Sequence, residues 1–304
     1  MTAKIAVIGE CMLELTHGSG PAGSGALPMK MGYGGDTINT SIYLSRNGVT
    51  VSYVTGLGDD LMSDWLVQEW QEEGIDCSLV ARLKNSVPGM YMINVDESGE
   101  RSFLYWRKHS PASRIFDNQG SAEIIFQSLA NHEYLYLSGI SLAILDDGSC
   151  DRLVGLLDNY RRQGGKIIFD GNYRPTLWSS AEYARSVYER MYKMTDIALP
   201  TFEDEQELFG FGSPQEVMDT IQQHGVNEIV VKMGGEGCLS LYQGVTTPVE
   251  AKAINPVDTT AAGDSFNAGY LAARFIGSSG VEACLVGHDL AGRVIQHKGA
   301  IIPK

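Results

Sequence analysis

The sequence predicts an α/β fold, with a doubly wound, mostly parallel sheet covered by helices and a small β-sheet lid beside it. Short apolar segments of strand length alternate with longer segments of helical periodicity along most of the 304 residues, and such alternation is typical of parallel sheets. Residues 88–109 interrupt it with two aromatic and β-branched runs around a turn. The length fits one large domain, so we interpret residues 1–304 as a single unit.

The first elements alternate as this fold requires. Residues 4–9 predict a short buried strand that ends at a glycine, and residues 36–47 predict a helix. A second strand is predicted at residues 51–54. The helical periodicity of residues 61–73 stops at Gly74, because glycine is favoured just past a helix end.

A hairpin is predicted in the interrupting stretch. Residues 90–95 and 101–107 are rich in aromatic and β-branched side chains, and they flank the turn cluster at 96–100. An earlier segment, rich in glycine and proline, can add strands to the same small sheet. We therefore expect a lid built from about residues 11–34 and 86–109.

Four further strands are predicted in the second half of the chain, separated by segments of helix length. They are residues 134–138, 166–170, 197–199 and 228–232. Ligands of such folds bind at the carboxyl ends of the strands. The side chains that follow these strands are therefore the first candidates for a functional site.

Composition and charge exclude several classes of protein. The net charge is −14 and no run of Lys or Arg is present, so a nucleic-acid partner is not indicated. No apolar run approaches the roughly 20 residues that span a bilayer, and the N-terminal segment lacks the pattern of a signal peptide. The five cysteines are scattered and odd in number, which favours free thiols. We therefore expect a cytoplasmic protein without a membrane partner.

The segment with the clearest chemistry is Asp-Thr-Thr-Ala-Ala-Gly-Asp-Ser-Phe-Asn-Ala-Gly-Tyr at residues 258–270. Its small residues Ala261, Ala262 and Gly263 allow a tight turn before an apolar, helix-like run. Their amides would face outward at a helix N-terminus, where unpaired N–H groups and the helix dipole bind anions. Asp264 can take the proton of a substrate hydroxyl. A second interpretation stays open, in which Asp264 only caps the helix.

This segment resembles the signature of the ribokinase/PfkB family of sugar kinases, and the resemblance extends over almost the whole chain. It is strongest to the bacterial 2-keto-3-deoxygluconate kinases of that family. The further segments that carry it are residues 9–15, 34–40, 100–107, 135–142, 170–175 and 294–303. The resemblance implies a ribokinase-like fold and transfer of the γ-phosphate of ATP, with Mg²⁺, to the terminal 6-hydroxyl of a keto-deoxy sugar acid. It also implies Asp264 as the base.

Two alternatives stay open beside this interpretation. Another kinase of the same family, acting on fructose, ribose or a nucleoside, would share the base but would not depend on an acid group. A non-catalytic sugar-sensing protein on the same fold would consume no ATP. The intact Asp264 and its small-residue turn argue against the sensor.

The pair Gly34-Gly35 precedes the first predicted helix, and paired glycines let a ligand approach the backbone closely. The resemblance implies that these glycines, with Asp36 and Asn39, bind sugar hydroxyls. The alternative is that Asp36 caps the helix and Asn39 is a solvated helix residue.

The acid group of the substrate needs a cationic partner. Tyr105 and Arg107 are two residues apart and share one face of a predicted strand, and a guanidinium binds a carboxylate in a bidentate fork. The resemblance implies that Tyr91, Tyr105 and Arg107 lie in a lid over the sugar. It also implies that Arg174, which follows the predicted strand 166–170, contacts the acid group.

The nucleotide half of the site is indicated by a strand that runs into glycines at residues 230–237. A glycine-rich turn alone is weak evidence, and the chain has no G-x-x-x-x-G-K-[ST] motif of a Walker-type kinase. The resemblance supplies the rest, and it implies ATP-binding roles for Asn172, Lys232, Gly234, Gly235, Gly237 and Asn267.

The stretch at 201–204 departs from the family pattern N-x-x-E, which is tied to magnesium and phosphate handling. Thr201 replaces the Asn and Asp204 replaces the Glu. Asp204 can still act on Mg²⁺ through a water, because Mg²⁺ retains its hydration shell readily. Glu203 and Glu205 are alternative carboxylates, and all three also suit a helix start.

Two smaller predictions concern a second cation and the oligomeric state. Asp258 and Thr260 match positions whose backbone carbonyls hold a monovalent cation in some relatives, so the resemblance implies a possible K⁺ site. Aromatic residues such as Trp106 at the edge of the predicted lid favour self-association. We therefore expect a homo-oligomer, most simply a dimer.

Overall fold

A computed structural model describes residues 3–18, 25, 27–95 and 101–304. The strands in these ranges are β1 (Lys4–Ile8), β2 (Met12–His17), β3 (Met29–Gly34), β4 (Thr50–Leu57), β5 (Val80–Arg82), β6 (Met90–Val95), β7 (Arg101–Trp106), β8 (Tyr134–Ser138), β9 (Lys166–Asp170), β10 (Ile197–Ala198), β11 (Glu228–Lys232), β12 (Cys238–Tyr242) and β13 (Val245–Val249).

The α-helices in the same ranges are α1 (Asp36–Arg46), α2 (Leu61–Glu72), α3 (Gln119–Ser128), α4 (Gly139–Ala143), α5 (Asp147–Arg162), α6 (Ala181–Tyr192), α7 (Phe202–Phe209), α8 (Pro214–Gln223), α9 (Ala262–Phe275) and α10 (Gly280–Val294). Short 3₁₀ turns lie at Pro111–Arg114, Pro175–Leu177 and Gly234–Glu236.

Nine of the described strands form the main sheet, in the order β13-β12-β11-β10-β9-β8-β1-β4-β5. All neighbouring pairs from β11 to β5 are parallel, and β12 and β13 add antiparallel strands at one edge. The doubly wound, mostly parallel sheet that the sequence predicts is therefore confirmed. From β1 the chain continues to β4 on one side and later returns to β8 on the other, so a ligand crevice is expected beyond the carboxyl ends of β1 and β8.

Both faces of this sheet are buried. In β1, Ile5 and Val7 join the apolar core on one face, and Ala6 and Ile8 join the core on the other. A strand covered by helices on both sides has this continuous apolar character. Within the described ranges, no helix is both long enough and apolar enough to cross a membrane.

A separate small sheet has the order β3-β2-β6-β7 in the described part of the chain. Its strands fall within the segments 11–34 and 86–109, and β6 pairs antiparallel with β7 as a hairpin requires. The predicted turn cluster at 96–100 lies outside the described residues, as do residues 19–24 and 26. We call β2, β3, β6 and β7 the small sheet.

Some predicted boundaries were wrong. The strand predicted at 51–54 extends over Thr50–Leu57, and the one predicted at 197–199 is only Ile197–Ala198. The sequence interpretation also missed the edge strands β5 and β13, and β12, which lies between β11 and β13. Edge strands are short or half exposed, so they lack the continuous apolar run that marks the central strands.

Candidate active site

A cavity of about 1490 Å³ lies at the carboxyl ends of the main-sheet strands. Residues that follow β1, β9, β10 and β11 line it on one side, and Met12, Tyr91, Phe103 and Tyr105 of the small sheet line it on another. The crevice therefore lies where the topology of the sheet predicts, and the small sheet forms part of its wall.

Asp264 lies in the first turn of α9 and lines this cavity. Asn39 of α1 donates its Nδ2–H to Asp264 Oδ2 at 2.8 Å. The cap position of α9 is Ala261, with no side-chain cap, so Asp264 is not the helix cap. Burial, followed by the neighbouring Asp36 carboxylate, raises the pKa of Asp264 to about 8, while the Asn39 hydrogen bond lowers it.

The turn before α9 presents amides to the same cavity. Ala261 has a left-handed backbone, with φ 60° and ψ 18°, and Ala261, Ala262 and Gly263 all line the cavity. The Ala262 amide donates to Thr259 O at 3.2 Å, whereas no backbone acceptor is found in the described residues for the amides of Ala261 and Gly263. These two amides, with the helix dipole, suit an anion.

A buried polar network supports the cavity floor. Lys232 Nζ donates to Asp170 Oδ1 and to Asn267 Oδ1, both at 3.1 Å, and Asn267 Nδ2 donates to Asp170 Oδ2 at 2.9 Å. Lys232 and Asp170 line the cavity, but Asn267 does not and is fully buried. A role of Asn267 in nucleotide binding stays a prediction; in the structure its side chain contacts Lys232 and Asp170.

The four residues predicted to bind sugar hydroxyls divide into two groups. Gly35, Asp36 and Asn39 line the cavity, but Gly34 does not. A Cβ on Gly34 would lie 2.7 Å from Tyr91 Oη, so this glycine packs closely against Tyr91, and its contact with a ligand stays a prediction. At Gly35, with φ 157°, a Cβ would meet Glu10 O at 2.4 Å.

Asp36 is the first residue of α1, and its cap position is Gly35 with no side-chain cap. Its carboxylate is therefore available to the cavity, where Asn172 donates to Asp36 Oδ2 at 2.9 Å. Asn172 has a left-handed φ of 42°, a conformation that Asn tolerates better than most residues. Burial raises the pKa of Asp36, while a hydrogen bond from Ser138 lowers it.

The small sheet contributes aromatic and cationic side chains to the cavity. Tyr91 and Tyr105 are paired across β6 and β7, with ring centroids 6.0 Å apart, and Tyr91 Oη donates to Glu14 Oε2 at 2.5 Å. Arg107 follows β7 directly and lines the same cavity. The three predicted residues are therefore brought together.

Glu10 is a cavity residue that the sequence interpretation missed. It is 3% exposed, its Oε2 lies 2.5 Å from Arg107 Nη2, and its Oε1 accepts a hydrogen bond from Ser110 Oγ. Burial raises its pKa, and the Arg107 guanidinium lowers it. A polar residue directly after β1 could have been found by the rule on carboxyl strand ends.

Arg174 and Asp204, predicted for different roles, form an ion pair. Arg174 Nη1 lies 3.0 Å from Asp204 Oδ1, and both residues line the cavity. Burial raises the pKa of Asp204, and Arg174 lowers it. The position expected to contact the substrate acid group and the position expected to act on Mg²⁺ are therefore adjacent.

The other two carboxylates of this segment differ from each other. Glu203 is exposed and lines the cavity, while Glu205 is fully buried and does not. Tyr192 Oη donates to Glu205 Oε1 at 2.5 Å, and burial raises the pKa of Glu205 to about 8. Of the two alternative carboxylates, Glu203 is therefore the one that is accessible from the cavity.

The glycines after β11 shape the other end of the cavity. Gly234, Gly235 and Gly237 line it, and Gly234 and Gly237 have positive φ values of 54° and 102°. The opposite wall was not predicted, since its residues carry little chemistry of their own. It consists of Ala251, Lys252, Ala253, Ile254, Asn255, Pro256, His288, Ala291, Gly292 and Ile295. A mostly apolar slot of this kind suits a flat base.

Asp258 and Thr260 organise the turn before α9. Asp258 Oδ1 accepts from Thr260 N at 3.0 Å and from Thr260 Oγ1 at 2.6 Å, and Asp258 Oδ2 accepts from Gly299 N at 2.8 Å. Thr260 lines the cavity and Asp258 does not. The Asp258 side chain thus holds the turn, and the predicted cation contact concerns backbone carbonyls only.

Comparisons with known proteins cover the full chain. A family model described as pfkB family carbohydrate kinase matches residues 2–304. A 2-dehydro-3-deoxygluconokinase from Escherichia coli (strain K12) is 47% identical over 312 residues, covering 100% of this chain and 98% of that protein. One from Dickeya dadantii (strain 3937) is 46% identical, covering 99% and 97%. Among solved structures, a ribokinase II protein from E. coli with ATP and Mg²⁺ has a TM-score of 0.84 at 21% identity, covering 98% of this chain and 94% of that one.

Proposed function

The chain belongs to the pfkB family of carbohydrate kinases, and we propose that it transfers the γ-phosphate of ATP to the terminal hydroxyl of 2-keto-3-deoxygluconate. This sugar acid is the 2-dehydro-3-deoxygluconate in the names of the two relatives. One observation carries the proposal: Asp264 faces the cavity from the first turn of α9, beside the amides of Ala261 and Gly263.

The proposed reaction uses Asp264 as general base. Asp264 accepts the proton of the terminal hydroxyl while the hydroxyl oxygen forms a bond to the γ-phosphorus of ATP. The bond from this phosphorus to the bridging oxygen breaks, and its electron pair leaves with ADP. The Ala261 and Gly263 amides, at the positive end of α9, stabilise the charge on the phosphoryl oxygens.

Lys232 is placed to support this reaction from the floor of the cavity. Its Nζ lies in the cavity floor and is held by Asp170 and Asn267. A fixed ammonium group there favours bound phosphate, since it costs no reorganisation when the phosphates arrive. Gly234, Gly235 and Gly237 leave room for the nucleotide to approach the backbone.

The residues present fit Mg²⁺ carried by ATP. No group of three or more His, Cys, Asp or Glu side chains in the described ranges is arranged to hold a metal alone, and Mg²⁺ is usually bound by one or two carboxylates, phosphates and waters. Asp204 and the exposed Glu203 would hold it at this edge of the cavity. When bound, Mg²⁺ neutralises phosphate charge.

Arg107 and Arg174 are the proposed partners of the substrate carboxylate. Both guanidinium groups line the cavity, each already paired with a carboxylate, Glu10 and Asp204. A guanidinium has five N–H donors, so it can keep such a partner and still bind a ligand carboxylate. Tyr91 and Tyr105 would pack over the sugar.

We also propose three finer features of the enzyme: a lid, a K⁺ site and a dimer. The small sheet acts as a lid that closes over the sugar and excludes water. A K⁺ ion bound by carbonyls near Asp258 and Thr260 would raise activity, which is tested by replacing K⁺ with Na⁺ or tetramethylammonium.

A dimer would form through the exposed aromatic residues of β7, including Trp106, and light scattering measures its mass.

The function is tested by ATP consumption at saturating MgATP with 2-keto-3-deoxygluconate, gluconate, fructose, ribose and adenosine as acceptors. The keto-deoxy acid should give the highest kcat/KM, and Asp264→Asn should lose on the order of 10²-fold in kcat because the base is gone. Preference for a neutral acceptor would point to another sugar kinase of the family. Near-unchanged turnover in Asp264→Asn would refute the role of this residue.

A further inference from the structure

The acidic side chains of the cavity differ in what neutralises them. The acids that line it in the described residues are Glu10, Asp36, Asp170, Glu203, Asp204 and Asp264. Three of these six have a cationic partner: Glu10 lies 2.5 Å from Arg107, Asp204 lies 3.0 Å from Arg174, and Asp170 lies 3.1 Å from Lys232. Glu203 is exposed to water.

Asp36 and Asp264 remain, and both have neutral partners. Asn172 donates to Asp36 at 2.9 Å, and Asn39 donates to Asp264 at 2.8 Å. In the described part of the chain, no Lys, Arg or His nitrogen lies within 4.0 Å of either carboxylate. The cations Arg107, Arg174 and Lys232 are each paired with another acid.

The two aspartates belong to helix starts that are tied together. Asp36 begins α1 and Asp264 lies in the first turn of α9. The Thr40 hydroxyl lies 3.0 Å from the carbonyl oxygen of Asp36 and 3.3 Å from that of Asp264. Asn39, on the same helix as Asp36, contacts Asp264 directly. The two helix starts that carry these carboxylates are therefore joined by hydrogen bonds.

We propose that Asp36 and Asp264 act as a carboxylate pair that holds one proton in the ligand-free enzyme, and that Asp36 thereby sets the pH above which Asp264 can accept the proton of the substrate. The proposal deepens the proposed function, since it assigns Asp36 a positioning role for the proton in addition to a contact with the sugar. The proposal requires that the enzyme phosphorylates an acceptor, but it does not depend on which acceptor this is.

The electrostatics of the cavity support this pair. Two neighbouring carboxylates cannot both ionise freely, so one keeps its proton to a higher pH. Burial is the largest cause that raises the pKa of Asp264, to about 8, and Asp36 is the next. The charged or titratable groups that interact with the pair are Glu10 after β1, Tyr43 on α1, Tyr53 on β4, Arg107 after β7, Tyr136 on β8, Asp170 on β9, Arg174 after β9 and Lys232 on β11.

The consequence is a rise in activity with pH. The base must be ionised to accept a proton, so the resident proton must leave to solvent before turnover. The pH dependence of kcat/KM reports the free enzyme, and we expect it to rise through a value near 8, the pKa of Asp264. Removing the charge of Asp36 lets Asp264 ionise at lower pH.

The test is the kcat/KM profile between pH 5 and 10 for Asp36→Asn, whose amide keeps the shape of the side chain. The rise should move to lower pH by on the order of one unit, even if KM increases. Asn172→Gly tolerates the left-handed φ and removes the donor to Asp36. Asp36 then keeps its proton to a higher pH, so the rise in kcat/KM should again move to lower pH.

Asn39→Leu should have the opposite effect. Asp264 loses the donor that stabilises its charge, so the rise in kcat/KM should move to higher pH. Glu207→Gln, which removes an exposed charge outside the cavity, is the matched control and should leave the profile in place. If Asp36→Asn and Asn172→Gly both keep the wild-type midpoint, the pair does not share a proton and the proposal is wrong. A different preferred sugar would change the acceptor used and leave this test intact.

Discussion

Single residues in this site are mostly partnered before any ligand binds. Glu10 holds Arg107, Asp204 holds Arg174, and Asp170 with Asn267 holds Lys232. A partnered cation is oriented, so less side-chain entropy is lost when the substrate arrives. The cost is that each ligand group must share its cation with a protein carboxylate.

Arg107→Ala tests carboxylate recognition at this scale. A charged hydrogen bond contributes about 1.5–3 kcal/mol, so KM for an acid sugar should rise about tenfold or more, while KM for a neutral sugar should change little. Steady-state kinetics with both acceptors measures the difference. Arg114→Ala removes a cation outside the cavity and is the control. An equal loss with both sugars would remove Arg107 from acid recognition.

The elements of the site are turns that follow strands or precede helices. The turn after β11 requires glycine at position 237. Gly237 has φ 102°, and a Cβ there would lie 2.2 Å from Val249 O. Gly235, in the same turn, has no heavy atom within 4 Å of its Cβ position. The same turn therefore contains one glycine that the backbone requires and one that it does not.

Gly237→Ala should lower the free energy of unfolding by about 2 kcal/mol or more, since the new methyl group is strained both by φ and by contact with β13. Gly235→Ala is the matched variant, with the same added methyl group, and its stability should stay within about 0.5 kcal/mol of the wild type. Thermal unfolding of the two proteins gives the comparison. Equal melting temperatures would show that the turn relaxes without cost.

At the scale of the whole molecule, folding buries acids that water would otherwise ionise. Glu205 lies under the loop after β9, where its Oε1 would be 2.5 Å from a Cβ on Gly171, and Tyr192 donates to the same oxygen. Its pKa of about 8 in the folded protein is above its ordinary value of 4.5. The unfolded chain therefore binds fewer protons between these values, and stability falls as pH rises through this window.

Glu205→Gln should make the stability of the protein depend less on pH in this window, because the neutral amide has the charge and shape of the protonated acid. The wild type should lose stability on the order of a few kcal/mol between pH 5 and 8.5, and the variant should lose less, although Asp264 contributes in the same direction. Melting temperatures across this range are the measurement, and Glu207→Gln is the exposed control. An unchanged slope in Glu205→Gln would mean that Glu205 is ionised in the folded protein.

Much of the fold could be predicted because its signals are local. The apolar strands β1, β8, β9 and β11 stand out as continuous runs, since both faces of the sheet are covered. The hairpin of β6 and β7 is marked by aromatic and β-branched residues. The edge strand β13 gave no such signal, since it is mostly exposed and lacks the apolar run.

By itself, the sequence determined the sheet, the small-residue turn before α9, and Asp264 within it, because each depends on residues near one another in the chain. Only the tertiary structure decided which polar groups meet. It pairs Arg107 with Glu10 and Arg174 with Asp204, buries Asn267 and Glu205, and places Gly34 against Tyr91. Such contacts join strand ends that lie far apart in sequence, so their partners and burial follow from packing and not from local pattern.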